Sequence, residues 1–382
     1  MTTGVEDQLL VCPETKLPLE ALSLEEAESA MAGGRRLRAR EGGQATPVGP
    51  TQVVLMREDR ACAYPVVEGI PILLVPERLV PANAGPFTVD LSDPKYAETY
   101  EEMDFYNTVA EREEAGVEDS AEAQFLMRTA KLGELQEGSF PEPRDVWIDA
   151  TYEAVAQWDS YRHLSPLKGK RVLQIGGKGT HALRFLLAGA SDAWTMSPMV
   201  GELRYARAVA QRLGLGDRLH CVASVAEEMP FADGTIDAIF AGSTIHHMVT
   251  DIAFAECARV LTKGGKFAAI EPWRAPLYGI GTRLLGKREP VHCRPLTSAR
   301  VRPLFEAFDW AAVVHHGALT RYPLLALAKL GVPVRTRTAW RVSRVDDAIS
   351  SLVPRVREAG SSTALLGTRG DGSTAPDGEE AL

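Results

Sequence analysis

Three histidines and a glutamate follow successive apolar segments in the second half of the chain. His181 comes just after the first of these segments, His246 and His247 follow the fourth, and Glu271 follows the fifth. If the segments are strands of a parallel sheet, their carboxyl ends share one edge and these side chains should surround a common cavity. Imidazoles and a carboxylate placed there suit general acid–base catalysis near neutral pH. Together with His292 in the next loop, they also suit binding of a divalent transition metal.

A glycine-rich turn, Gly176-Gly177-Lys178-Gly179-Thr180, follows the first apolar segment, Val172 to Ile175. A strand that runs through such a turn into a helix presents bare backbone amides to a ligand at the carboxyl edge of the sheet. The same residues also suit a tight turn with only a structural role. The turn by itself does not distinguish these two interpretations.

The segments that must position these residues alternate between short apolar strands and amphipathic helices from Lys170 onward. This alternation predicts an α/β fold, a doubly wound and mainly parallel seven-stranded sheet with helices on both faces. The predicted strands are RVLQI, DAWTM, RLHCV, DAIFA, GKFAAI, WAAVVHH and STALLGT.

The chain divides into four units. Residues 1–80 contain short apolar runs separated by turn residues, which is typical of a small β-rich domain. Residues 81–165 show helical periodicity with many glutamates and predict a helical cap, and residues 166–368 form the α/β domain. Residues 369–382 are rich in glycine, small and acidic residues and are expected to be disordered.

The composition is that of an ordinary globular protein, with 45% hydrophobic residues and a formal net charge of -9. This charge argues against nonspecific binding to nucleic acid, and no apolar run approaches the roughly 20 residues that cross a bilayer. The amino terminus lacks a secretory-signal pattern, and the five cysteines form no CxxC pair. We therefore expect a cytoplasmic protein that acts on a small molecule, with no nucleic acid or membrane partner. The oligomeric state is left open.

Five short motifs carry a family resemblance over residues 170–271. In order they are Met229-Pro230-Phe231, Ile236-Asp237, His246-His247, Arg259-Val260-Leu261 and Lys263-Gly264-Gly265. Their order and spacing resemble the class I S-adenosylmethionine (SAM)-dependent methyltransferases, especially the ubiquinone/menaquinone-biosynthesis type. The resemblance implies SAM as the cofactor and methyl transfer as the reaction.

The resemblance also assigns cofactor-binding positions, several of which depart from the family pattern. Gln174 replaces an acid at the end of the first strand. Ser197 replaces the acid that binds the ribose hydroxyls, and Val225 replaces the acid that pairs with adenine. A hydroxyl binds ribose less strongly than a carboxylate, so Ser197→Asp is expected to tighten SAM binding. The implied cofactor site comprises Gln174, Gly176, Gly177, Gly179, Ser197 and Val225.

Three functions are open at this point. The leading one is a methyltransferase acting on a small metabolite, with no metal and with His246, His247 and Glu271 as catalytic residues. The alternatives are a metalloenzyme without SAM and a non-catalytic binding protein. The metal ligands of the second function would be His181, His246, His247, Glu271 and His292. Arg274, Arg283, His292 and Arg294 form the expected substrate-binding set, which suits an anionic group.

The amino-terminal segments LLVCP and YPVVEGIPILL resemble the small zinc-ribbon-like domain that activates methyltransferases. In that family two CxxC-like pairs can hold zinc, but Thr15 stands at the second position of the first pair here. Only Cys12 and Cys62 lie in this region, and two thiolates do not complete a tetrahedral zinc site. We therefore predict a metal-free module that packs on the larger domain.

Overall fold

The computed structural model describes residues 9–31, 36–40, 52–84, 90–116, 121–130, 138–140, 147–148, 150–274 and 294–370. Residues 371–382 of the expected disordered tail lie outside the described residues, as do Arg283 and His292 of the expected substrate site. In the described part of the chain, no helix is long and apolar enough to cross a membrane.

The amino-terminal module is built from short antiparallel strands and one helix. Its elements are β1 (Leu19–Ser23), α1 (Leu24–Ala30), β2 (Leu37–Arg38), β3 (Val53–Arg57), β4 (Ala63–Val67), β5 (Ile70–Pro71) and β6 (Val80–Pro81). The main sheet has the order β1-β3-β4-β5, and β2 pairs with β6. A turn through Glu68 and Gly69, both with positive φ, joins β4 to β5. Helix α1 begins with a capping box, in which Ser23 and Glu26 each bond the other's backbone amide.

Three helices follow the module, and they precede an alternating α/β domain. The helices are α2 (Ala97–Ala115), α3 (Ala121–Ala130) and α4 (Ala154–Leu164). The α/β domain comprises β7 (Arg171–Ile175), α5 (Thr180–Leu187), β8 (Asp192–Met196), α6 (Val200–Arg212), β9 (Leu219–Val222), β10 (Ile236–Gly242), α7 (Thr250–Val260), β11 (Leu261–Pro272), α8 (Ser298–Ala307), β12 (Trp310–His316), α9 (Arg321–Lys329), α10 (Thr336–Ser351), α11 (Pro354–Arg357) and β13 (Ser362–Thr368).

The large sheet has seven strands in the order β12-β13-β11-β10-β7-β8-β9. The five strands from β11 to β9 are parallel, and β13 runs antiparallel to both β11 and β12. This is the class I fold of SAM-dependent methyltransferases, and the predicted fold class is confirmed.

The strands are continuous apolar runs because both faces of the sheet are covered. Along β7, Val172 packs into one hydrophobic cluster and Leu173 into the other, and along β10 Phe240 and Ile239 divide in the same way. Successive side chains of a strand point to opposite faces, so a strand buried on both sides needs apolar residues at every position.

The amino-terminal module packs on the α/β domain, as predicted, and extends its sheet. Ile72 forms a parallel bridge with Ala223, one residue beyond β9, and the amide of Leu73 donates to the Ala223 carbonyl at 2.8 Å. A second bridge joins Leu10 to Phe231. The module therefore shares main-chain hydrogen bonds with the domain that contains the site.

Helix α2 crosses α6 closely enough to need a glycine. A Cβ atom on Gly201 would lie 3.0 Å from the carbonyl oxygen of Asn107, and the Gly201 amide donates to the Asn107 side chain at 2.8 Å. This contact holds α2 over the carboxyl edge of the sheet. The sequence predicts a helical cap here, but its packing partner depends on tertiary contacts.

Candidate active site

A cavity of about 250 Å³ lies at the carboxyl edge of the sheet beneath α2. It is bounded by the turns after β7, β8, β9 and β10. The chain order reverses at β7, which has β8 on one side and β10 on the other. Such a reversal opens a crevice between neighbouring strand ends, which is where open α/β sheets bind their ligands.

The floor of the cavity is the glycine turn after β7. Gly176 and Gly177 line it with φ angles of +72° and +69°. A Cβ atom on Gly176 would lie 2.4 Å from Cγ2 of Thr244 in the turn after β10. The two turns are therefore in contact, and only glycine fits at position 176.

Replacing Gly176 by alanine is expected to destabilise the fold and to remove ligand binding at this turn. Gly264→Ala is the matched control, because Gly264 has φ +73° but nothing within 4 Å of its Cβ position. In a thermal or urea unfolding measurement, the control should lose only the stability that corresponds to the strain of alanine at positive φ, about 1 kcal/mol. Combining Gly176→Ala with Thr244→Ser should recover part of the lost stability. Equal losses for the two alanine variants would contradict the steric account.

Two expected cofactor residues brace this turn and do not line the cavity. The Gln174 amide donates to the Gly176 carbonyl, and its oxygen accepts from the Ala182 amide, both at 2.8 Å. Gly179 begins α5 with φ +72°, and a Cβ atom there would lie 2.7 Å from that of Ala206. Their placement supports the shape of the turn, so a direct cofactor contact is not indicated for either.

The other two expected cofactor residues, Ser197 and Val225, do line the cavity. The Ser197 hydroxyl donates to Oε2 of Glu202 at 2.8 Å and accepts from the Met199 amide at 3.1 Å. Glu202 itself lines the cavity from the first turn of α6. A carboxylate is therefore present beside Ser197, five residues later in the chain than the family pattern places it.

This arrangement changes the expectation for Ser197→Asp. The new carboxylate would face Glu202 in a site where both side chains are at least nine-tenths buried. Two carboxylates that close together oppose each other's ionisation. The substitution should therefore weaken SAM binding, where the sequence alone predicts tighter binding.

A second buried carboxylate, Glu227, lines the cavity next to Val225. Burial raises its pKa to about 7, although the amide of Val249 donates to it at 2.8 Å. Near neutral pH this group exchanges a proton readily, so it can act as a donor or an acceptor toward a bound ligand.

The adjacent histidines, whose ring centroids lie 4.1 Å apart, bond different carboxylates. His246 is buried, and its Nδ1 lies 2.7 Å from Glu271, which also accepts from the amides of Thr244 and Ile245. Glu271 is only 1% exposed and does not line the cavity. The expected catalytic role for Glu271 is therefore corrected to organising the turn after β10, with His246 as its partner.

His247 lines the cavity and contacts α2. Its Nδ1 lies 2.7 Å from Glu98 and 3.6 Å from Glu102. Burial acts to lower the pKa of His247, but the hydrogen bond to Glu98 and the charge of Glu102 together raise it above its ordinary value. An imidazole with a raised pKa, open to a cavity, can exchange protons with a bound substrate.

The expectation that all the histidines surround one cavity is wrong for the described members. His181 bonds the Tyr161 hydroxyl at 2.6 Å and packs its ring 4.4 Å from that of Phe240. His181 and His246 thus have separate partners below the cavity, and only His247 faces it. The five-residue metal site with Glu271 is not assembled, and its remaining member, His292, lies outside the described residues.

A different group has the ligand atoms for a metal. One atom each of Glu98, Glu102 and His247 lies within 4.8 Å of the others. These groups already have partners within the chain, since His247 bonds Glu98 and the Arg294 guanidinium pairs with the same carboxylate. The contacts suit an acid–base group and do not require a metal.

The cavity wall is acidic, whereas the sequence predicts a basic substrate-binding set that suits an anionic group. Arg294 is committed to Glu98, and Arg274 is exposed and does not line the cavity. The lining carboxylates are Glu98, Glu102, Glu202 and Glu227. They outnumber the basic lining residues, Lys95 and His247, so an anionic substrate is disfavoured in the described part of the site.

The two cysteines of the amino-terminal module, Cys12 and Cys62, are both buried. Cys12 Sγ is 3.4 Å from the Tyr64 hydroxyl and 3.9 Å from Nη1 of Arg57. Arg57 is held by a bidentate contact to Asp59. A fixed guanidinium therefore lies against the Cys12 thiol.

We expect the purified protein to contain no stoichiometric zinc at Cys12 and Cys62. The guanidinium of Arg57 would be repelled by a divalent cation bound at Cys12. Elemental analysis of the full chain after dialysis measures this, with a Cys12→Ser, Cys62→Ser double variant as the control. One zinc per chain that disappears in the double variant would contradict the prediction.

Comparisons with known proteins agree with this architecture. Residues 173–269 match a family model described as "Methyltransferase domain". A tRNA U34 carboxymethyltransferase of Idiomarina loihiensis is 29% identical over 167 residues, which cover 43% of this chain and 50% of the relative. The same enzyme of Proteus mirabilis is 34% identical over 102 residues, covering 26% and 31%. The chain thus spans half or less of the length of these curated relatives.

Among solved structures, geranyl diphosphate C-methyltransferase from Streptomyces coelicolor A3(2) is similar with 12% identity and a TM-score of 0.42. The match covers 66% of this chain and 99% of that chain. The sheet order and the domain match together define a methyltransferase domain with the class I fold, within a chain that also carries the amino-terminal module.

Proposed function

We propose that the protein is a SAM-dependent methyltransferase whose acceptor is a small molecule, with Glu202 as the ribose-binding carboxylate. The observation that carries this proposal is the position of Glu202, which lines the switch-point cavity and accepts from Ser197. A carboxylate can accept from both hydroxyls of a ribose, and such charge-assisted bonds are stronger than neutral ones.

The remaining walls suit the rest of the cofactor. The backbone of Gly176 and Gly177 offers close approach for the methionine part, and Val225 offers an apolar contact for adenine. The acidic wall favours the positive sulfonium of SAM. Methyl transfer itself requires mainly alignment of acceptor, methyl and sulfur.

His247 is the proposed general base toward the acceptor. It is the one histidine of the predicted cluster that lines the cavity in the described part of the chain. Its neutral form would take a proton from an acceptor O–H or N–H, while Glu98 stabilises the imidazolium that forms. Glu98 therefore acts as a positioning residue.

The relatives named as carboxymethyltransferases raise a second possibility for the transferred group and the acceptor. A carboxymethyl group would add a carboxylate to this cavity, and tRNA would bring phosphates toward it. The basic lining residues are both engaged, since Lys95 pairs with Glu228 at 2.6 Å and His247 pairs with Glu98. These engagements favour methyl over carboxymethyl and a small acceptor over tRNA. The resemblance to the ubiquinone/menaquinone type stays a prediction.

Transfer assays with methyl-labelled SAM, and with a donor whose sulfonium carries a labelled carboxymethyl group, separate these possibilities. The full chain is incubated with either donor and with either purified total tRNA or the dialysable fraction of a cell extract. We expect label from SAM in the dialysable fraction and none in tRNA, with His247→Ala as the control that should remove it. Label in tRNA, or transfer only from the carboxymethyl donor, would favour the second candidate. Binding of SAM without transfer from either donor would favour a non-catalytic protein.

A further inference from the structure

Helix α10 has an exposed apolar stripe that no described part of the chain covers. Its inner face is buried through Ala339, Ser343 and Asp346. On the outer side Val342 is 45% exposed and Val345 is 58% exposed. Ile349, 53% exposed, continues the same stripe. Spacings of three and four residues place the three aliphatic side chains on one side of the helix.

A row of arginines runs beside this apolar stripe. Arg337, Arg341 and Arg344 are all exposed, and their spacing of four and three residues places them on the neighbouring side of α10. Residues 329–357 contain seven basic and two acidic residues, hence a net charge of +5 within a chain of net charge -9. This segment of the chain is therefore opposite in sign to the protein as a whole.

Both acidic residues of α10 contact other parts of the chain and not its exposed side. Asp346 is buried and accepts from the amides of Leu319 and Thr320, both at 2.9 Å. Asp347 lies 2.7 Å from His316, whose pKa it helps to raise to about 9 against the opposing effect of burial. The outward face of α10 is left with aliphatic and cationic groups.

Further exposed aliphatic residues flank α10 in the chain. Leu330 is 76% exposed and Val332 is 45% exposed before the helix, and Leu352 is 80% exposed after it. A cluster of aliphatic side chains as exposed as Val342, Val345 and Ile349 marks an interaction site. Their combination with a row of arginines is the pattern of helices that lie in a membrane interface.

A shallow apolar depression of about 310 Å³ opens on this surface. Leu319, Val342, Val345 and Ile349 form its walls, and Arg341 stands among its lining residues. An apolar trough beside a guanidinium matches the two chemical parts of a phospholipid, an acyl chain and a phosphate.

We propose that the outer side of α10, together with the neighbouring Leu319, forms a face that docks on an anionic lipid bilayer, with α10 lying in the plane of the interface. The face is peripheral, so it needs no apolar run long enough to span the bilayer. The expectation of no membrane partner rests on the absence of such a run and does not address surface docking.

A second copy of the chain is disfavoured as the occupant, because two such faces would bring arginines of the same sign together. RNA phosphates would use the arginines but leave the aliphatic stripe without a partner.

Vesicle co-sedimentation of the full chain tests this proposal. We expect binding to vesicles of phosphatidylcholine with one-third phosphatidylglycerol, little binding to pure phosphatidylcholine, and release at high salt. The double variants Val345→Asp with Ile349→Asp and Arg341→Glu with Arg344→Glu should each lower binding by at least about tenfold. Val53→Asp is the matched control, because Val53 is 43% exposed in the amino-terminal module. Circular dichroism checks that each variant remains folded.

Three outcomes would overturn the proposal. The first is equal binding to anionic and neutral vesicles, or no binding to either. The second is binding of total tRNA in a gel-shift that the arginine variant removes and the aliphatic variant does not. The third is a dimer in light scattering that Val345→Asp with Ile349→Asp dissociates while wild-type protein leaves vesicles unbound.

Discussion

Replacing Glu202 by glutamine is expected to weaken SAM binding about 10- to 150-fold, since charge-assisted hydrogen bonds contribute roughly 1.5–3 kcal/mol. Glutamine keeps the size of the side chain and can still accept from Ser197, so the fold should be retained. Calorimetric titration of the wild type and the variant with SAM measures the effect. S-adenosylhomocysteine should show the same loss, because the ribose is common to both molecules.

Two companion variants make this result specific. Glu58→Gln is the control, because Glu58 is exposed in the amino-terminal module and should bind SAM as the wild type does. Ser197→Asp should weaken binding for the electrostatic reason given above. Unchanged affinity in Glu202→Gln, or tighter binding in Ser197→Asp, would show that the ribose lies elsewhere.

Replacing His247 by alanine is expected to lower kcat by about 10²- to 10⁴-fold, the usual contribution of a general base. The affinity for SAM should change little, because the cofactor is held by other residues. His246→Ala is the contrasting variant. It removes the partner of buried Glu271 and should lower the free energy of unfolding by about 1–3 kcal/mol. Steady-state kinetics and urea unfolding separate the two effects.

The pH profile distinguishes a base from a merely structural histidine. The base must be neutral, and its pKa in the folded protein is raised, so kcat/KM should increase as pH rises through that value. Glu98→Gln removes the carboxylate that stabilises the imidazolium, lowers the pKa of His247 and should move the profile to lower pH. A profile that does not move, with kcat unchanged in His247→Ala, would rule out the proposed base.

The fold could be predicted from the sequence because its signals are local. Each buried strand is an apolar run, and the glycine turn after β7 separates the first such run from the helix that follows it. The antiparallel direction of β13 is a non-local feature that the order of elements does not imply, because helices α9 to α11 separate β12 from β13. Local chemistry therefore predicts the elements themselves, but it does not predict the direction of the last strand.

The carboxylate of the site could not be predicted in the same way. The family pattern places the ribose-binding acid at the end of the strand, where this chain has Ser197. An alignment of the two therefore shows the acid as missing. Glu202 reaches the same cavity from the next helix, and only the geometry of the β8–α6 turn brings it back to Ser197. An acidic residue in the first turn of the following helix is the signal that could have found it.

The histidines show a second limit of sequence reasoning. Topology correctly places His246 and His247 after β10, but a short 3-10 turn over Ile245–His247 directs one ring inward and the other toward α2. The partners Glu98 and Glu102 come from a helix about 150 residues earlier in the chain. Their contact depends on packing of α2 against α6, which no local pattern contains.

Titration of the wild-type full chain with SAM tests the central claim most directly. We expect saturable binding of one SAM per chain, competed by S-adenosylhomocysteine and weakened by Glu202→Gln but not by Glu58→Gln. Absence of binding to either ligand at millimolar concentration, with the protein shown to be folded, would contradict it.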